Sequence, residues 1–289
     1  MRFTVPGMAT FTDDDLSGSS FERVLLNGAT FTRTRFLDAT FRTVNFSGAT
    51  IRGAALQGVR MSGVELFDVV IDGDLHNTVV NGVDIAPLVE AELDRRMPDR
   101  TLLKPTDARG YVTAWDMLER RWAETLEHAR TLPESELHRS VAGEWSFIQT
   151  LRHLNFASAA WIGRMVLGIE SPFHPLDLPW DEAPLTVEIP GDRDATPSLD
   201  EVLAIRAERQ AMVRGVIEAL TDEQLDSTVS RTGPGWPQEE NFPIRECLHI
   251  VLFEEWEHRL FAERDLAALQ AEPAEALEPA ALEPAAEAS

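Results

Sequence analysis

The 289-residue chain is 44% hydrophobic, enough length and apolar content for two cores, and carries a formal charge of −23. That charge, with Lys104 as the sole lysine, argues against nonspecific binding to nucleic acid or to anionic membranes, since both need clusters of Lys and Arg. Cys247 is the lone cysteine, so an internal disulfide is excluded, and the lack of an apolar run near 18 residues or of a signal pattern in MRFTVPGMAT predicts a soluble cytoplasmic protein.

The first segment of the chain places Phe31, Phe36, Phe41, Phe46 and Ile51 at a strict spacing of five. A helix turns 140° beyond each full turn at that spacing, and a strand would throw alternate residues to opposite faces, so neither regular element accounts for it. Each pentad must hold one short extended piece and one corner. The residue two places before the large one is usually small, as at Ala9, Ser19, Ala29, Ala39, Ala49 and Ala54. Thirteen pentads keep phase from Phe11 to Ile71, then the register slips by one to Leu75, Val80 and Ile85. If each corner turns a quarter circle, four pentads make a coil, and large and small side chains share one interior.

The units GATFT, DATFR and GATIR resemble the pentapeptide-repeat family over about residues 9 to 85. The resemblance implies a right-handed quadrilateral β-helix and a surface suited to a protein partner or to a homodimer. Some members of that family imitate duplex DNA. Here residues 1–85 hold ten acidic against seven basic residues, so the acidity lies elsewhere in the chain and argues against that role.

Past Ile85 helical spacing takes over. The expected organisation is a repeat domain at 1–86, a linker at 87–105, a four-helix bundle at 106–267 and a disordered Ala/Glu/Pro tail at 268–289. Tyr111, Trp115, Leu118, Trp122, Leu126 and Ala129 recur at three or four residues and predict a first bundle helix over 107–131. Ser146 and Ser198 are the expected N-caps of the second helix, to about 167, and the third, to about 220. The fourth follows Pro243. Long connections at 168–197 and 221–242 can cover one end of the bundle, and RTGPGWPQEENF is suited to lining a pocket mouth.

On the fourth helix Ile244, Cys247, Val251, Glu254, His258 and Phe261 share one face, which turns Glu254 and His258 toward the apolar seam. A buried carboxylate needs a cation or a metal. Glu254 and His258 at i, i+4, with His153 in the middle of the second helix, make a candidate metal set with open positions; the same residues can equally form a plain hydrogen bond. His249 lies about 140° round the helix and is expected not to be a ligand, Cys247 sits two turns away, about 10 Å by helix rise, as a core thiol, and Trp145, Trp161 and Trp256 are expected to be packing residues.

GEWSFIQTLRHL followed downstream by EEWEHRLFAERDL is similar to the DinB-like superfamily of four-helix proteins over about residues 105 to 267. The resemblance implies a divalent metal, zinc or nickel, held by His153 from the second helix and by Glu254 and His258 as the ExxxH variant of the fourth. That variant is associated with thiol-dependent isomerases and transferases, which implies a small thiol cosubstrate. Two functional expectations stand: a metal-dependent transfer of a small thiol to an electrophile, and a non-catalytic binding scaffold that uses the repeats. Residues for catalysis beyond the metal set are not legible.

Overall fold

The computed structural model describes residues 9–181, 183, 189 and 191–271. The chain divides into two compact units, Met1–Ile71 and Asp72–Ser289, and the division falls where the pentad phase slips.

In the first unit the period of five is a period of corners. A left-handed residue recurs at every fifth position from Asp13 through Gly18, Arg23, Gly28 and Arg33 onward. Alternate corners close a turn, as in Ser19 N to Leu16 O at 3.0 Å and Ala49 N to Phe46 O at 2.9 Å. Gly18, Gly28, Gly48 and Gly58 sit in those turns at φ between 71° and 75°, where a Cβ would be strained. The rings of Phe31, Phe36, Phe41 and Phe46 meet edge to face in sequence, with centroids 5.4 to 5.8 Å apart. These rings remain about half exposed, 48% at Phe36 and 57% at Phe31, and no strand forms among the described residues of this unit. The expected sealed interior of large and small residues is therefore not seen. The described backbone bonds here are those of the turns, and without strand pairing nothing lies across the ladder to cover it.

The second unit opens on a hairpin in which β1 (Val79–Val80) pairs with β2 (Val83–Asp84) across Asn81 and Gly82, both at positive φ as a two-residue turn requires. Residues 87–105, expected to be a linker, are instead helical: α1 spans Ala86–Arg96 and a 3₁₀ segment spans Pro98–Leu103. Leu103 is fully buried in the bundle core and ties the segment to it, while the buried Arg100 donates back to Glu90 and Asp94 and holds the 3₁₀ segment against α1.

The bundle follows the expected order. It comprises α2 (Ala108–Ala129), α4 (Phe147–Ser158) prolonged by a π-helix over Ala159–Val166, α5 (Leu199–Ala219) and α7 (Ile244–Ala271), with the single turns α3 (Glu134–Leu137) and α6 (Asp222–Leu225) between them. Helix α7 packs on α2, α4 and the π-helix, and α5 on α4 and α2. Ser146 and Ser198 each close a capping box, with Gln149 and Glu201 respectively. Tyr111, Trp115, Leu118 and Trp122 form the buried stripe of α2. A second hairpin, β3 (Thr228–Arg231) with β4 (Glu239–Pro243), precedes α7. The buried face of α7 is wider than the expected stripe: Leu248, Leu252 and Glu255 are buried, while Phe261 is 36% exposed. Glu255 is compensated by a two-pronged bond from Arg206, whose guanidinium also lies 4.6 Å above the Trp122 ring. Helix α7 runs four residues into the stretch expected to be disordered tail; the rest of that tail lies outside the described residues.

Candidate metal centre

His153 is carried by α4, two turns after the capping box that fixes the start of that helix, and is buried, with 7% of its surface exposed. Its Nδ1 lies 3.0 Å from the carbonyl oxygen of Leu178, in the long connection after the π-helix. A carbonyl only accepts, so Nδ1 carries a proton and Nε2 is turned into the seam. There Nε2 lies 3.4 Å from a carboxylate oxygen of Glu254, and the Nε2 of His258 lies 3.0 Å from the same oxygen. One donor atom from each of His153, Glu254 and His258 falls within 4.8 Å of the others.

The donor set fits a divalent cation. With Nδ1 protonated, Nε2 of His153 faces the carboxylate either as a bare lone pair, which needs a cation between them, or as the second N–H of an imidazolium. Burial pushes Glu254 up, but the bonds and charge of the two imidazoles outweigh it and hold the carboxyl well below the usual carboxylate range. The second hydrogen-bonded partner of His153, a backbone carbonyl, is the orienting contact that metal-binding imidazoles usually have. Trp145 covers both imidazoles, with its ring centroid 4.6 Å from that of His153 and stacked 5.9 Å from that of His258.

Two loops converge on this centre, and each is held by a buried arginine of the α4 and π-helix rod. Arg152, with 0% exposure, donates to the carbonyls of Leu176, Asp192 and Ala195, while the Leu178 amide donates back to the Arg152 carbonyl. Arg164, 3% exposed, donates to the carbonyls of Glu170, Gly233, Pro234 and Pro237. The first clamp sets the path of Trp180 and the second that of Trp236. Together with Phe156, Ala157, Trp161, Ile250, His153 and Glu254 these indoles line a cavity of about 270 Å³.

The residues singled out from sequence divide accordingly. His153, Glu254 and His258 come together. His249 is apart from them and lies against Phe253, and Cys247 is fully buried, its thiol pushed up to about 12 by burial, which leaves it unreactive. Trp256 is core, as expected, whereas Trp145 and Trp161 belong to the site. Trp236 lies in the RTGPGWPQEENF loop expected at a pocket mouth and lines the cavity, whereas Arg152, Arg164 and Trp180 carried no sequence signal beyond their place beside or within long connections.

The sequence profile of the DinB superfamily matches residues 117–262, half of the chain and the whole span from His153 to His258. The chain belongs to the DinB superfamily. Pentapeptide repeats match at residues 8–50 and 26–70, so a pentapeptide-repeat region precedes the helical DinB domain. No curated protein and no solved structure matches the chain. Among the described residues no helix is long and apolar enough to cross a membrane.

Proposed function

We infer that this DinB protein is a metal-dependent enzyme that transfers a small thiol to an electrophilic substrate, with His153, Glu254 and His258 as the residues that hold a zinc or nickel ion. The observation that supports it best is the locked His153 ring, whose Nε2 is aimed at the Glu254 carboxylate beside a second imidazole. A divalent ion held there supplies Lewis acidity, lowering the pKa of a thiol bound beside it. The chain's own groups perform the rest: Leu178 fixes the tautomer of His153, Glu254 supplies the single negative charge, Trp145 shields the imidazoles from solvent, and the cavity next to them receives the second substrate.

The test is thermal. Adding Zn²⁺ or Ni²⁺ to chelator-stripped protein is expected to raise Tm by mass action, with the rise absent in His258→Ala. An unshifted wild type overturns the reading.

A second reading, a binding scaffold, is favoured by the half-exposed ladder of Phe31 to Phe46. In it the repeats wind as a right-handed quadrilateral β-helix and engage a protein partner or a second copy. The period of five and its corner residues support that winding. The repeats' own near balance of acidic and basic residues, and the single lysine in the chain, speak against nucleic acid and membranes as partners, and a cytoplasmic setting suits both readings.

A further inference from the structure

The cavity beside the candidate metal centre has a chemistry of its own. Three of the seven tryptophans of the chain, Trp161, Trp180 and Trp236, converge on it. Trp180 and Trp236 come from different loops yet stand with centroids 4.6 Å apart; Trp236 also stacks on Phe156 at 5.4 Å and meets Trp161 edge-on at 5.5 Å. These indoles are only partly buried and border a void instead of filling it.

The walls are fixed without a ligand. Burying a guanidinium with carbonyls as its hydrogen-bond acceptors is expensive, and the chain does it twice, at Arg152 and Arg164, each time to hold the loop that supplies one of the facing indoles. Preformed walls of this kind lower the cost of ordering on binding.

The lining also selects charge. Among the described residues no Lys or Arg lines the cavity, so with the neighbouring centre empty a carboxylate, phosphate or sulfonate would enter beside Glu254 without a partner. The ionisable groups among the described lining, His153 and Glu254, lie in the candidate metal centre. An organic cation would gain from the indole faces, but a divalent ion against one carboxylate leaves the neighbouring centre positive. Size narrows the choice further: a dry apolar cavity near 150 Å³ accepts benzene, so about 270 Å³ accepts one ring with a short substituent.

We propose that the cavity walled by Trp161, Trp180 and Trp236 is the subsite for the uncharged, planar part of the electrophilic substrate, an aromatic ring or a conjugated unsaturated group, whose reacting atom faces His153 and Glu254. The assignment deepens the enzymatic reading and rests on it for the word electrophile; the binding preference rests on the cavity alone.

Three probes that share one ring separate the alternatives: benzyl alcohol, benzoate and benzyltrimethylammonium, titrated by ligand-observed NMR and tryptophan fluorescence against the full chain, both chelator-stripped and zinc-loaded. Benzyl alcohol is expected to bind at least tenfold more tightly than benzoate in the stripped form and at least tenfold more tightly than benzyltrimethylammonium in the zinc-loaded form. Trp236→Ala is expected to weaken it about tenfold. Ala157→Leu, which fills the cavity from α4 and leaves every wall in place, is expected to abolish its binding while the metal-dependent rise in Tm persists. Tighter binding of benzoate in the stripped form or of the cation in the zinc-loaded form, no binding of benzyl alcohol, or unchanged binding in Ala157→Leu overturns the subsite. Because the metal rise is read separately on the same proteins, loss of the subsite and loss of the metal reading give different results.

Discussion

At the scale of single residues, the bundle places ionisable groups where their partners decide their state. His128 shows this away from the metal centre: its Nδ1 lies 3.0 Å from a carboxylate oxygen of Glu263, whose other oxygen accepts from Thr125. The Glu263 bond raises the imidazole above its ordinary 6.5. Burial of Glu263 is outweighed by the bonds from Thr125 and His128, which lower it below 4.5. A raised folded pKa means that His128 contributes stability fully below about 6.5, and that this is lost as pH rises through the folded value; the lowered Glu263 contributes above about 4.5, and loses it as pH falls. The stability difference between wild type and His128→Gln, measured by urea unfolding, is therefore expected to be largest between those two values and to shrink toward pH 8.5. A difference constant with pH contradicts the pairing. The buried Arg206–Glu255 pair makes a larger prediction: Glu255→Ala leaves a guanidinium at 2% exposure without its anion and is expected to cost about 3–5 kcal/mol.

At the scale of elements, local signals and long-range ones part company. The stripe of α2, the capping boxes at Ser146 and Ser198 and the i, i+4 spacing of Glu254 and His258 were legible because each depends on neighbours within a turn or two. The metal set needed only one further step, the pairing of the second and fourth helices. The π-helix was not legible, since AAWIGRMV reads as ordinary helix and its widened turn depends on what α7 and the β3–β4 loop press against it. Trp180, and its pairing with Trp236 of the RTGPGWPQEENF loop, were hidden for the same reason: loops fixed by Arg152 and Arg164 across 24 to 73 residues leave no periodic trace. The pentad corners were legible and recur as left-handed residues, whereas the sealed interior inferred from them is not seen. Phe41→Ala distinguishes the two forms of this unit. A closed coil is expected to lose about 3–5 kcal/mol through transfer and cavity terms, while the open ladder, with Phe41 54% exposed, loses well under half of that.

At the scale of the whole molecule, a repeat unit bound mainly to its neighbours stands before a bundle with its own core. A fragment of residues 72–271 is accordingly expected to keep a cooperative helical unfolding transition by circular dichroism, with the Leu103 anchor included. A molten fragment would make the bundle dependent on the repeats. The central claim, that His153, Glu254 and His258 hold one divalent ion, is tested most directly by titrating zinc into chelator-stripped, untagged protein in a calorimeter. One ion per chain is expected to bind the wild type, with binding lost in His258→Ala and in Glu254→Gln. Absence of binding in the wild type, or equal binding in all three proteins, contradicts it.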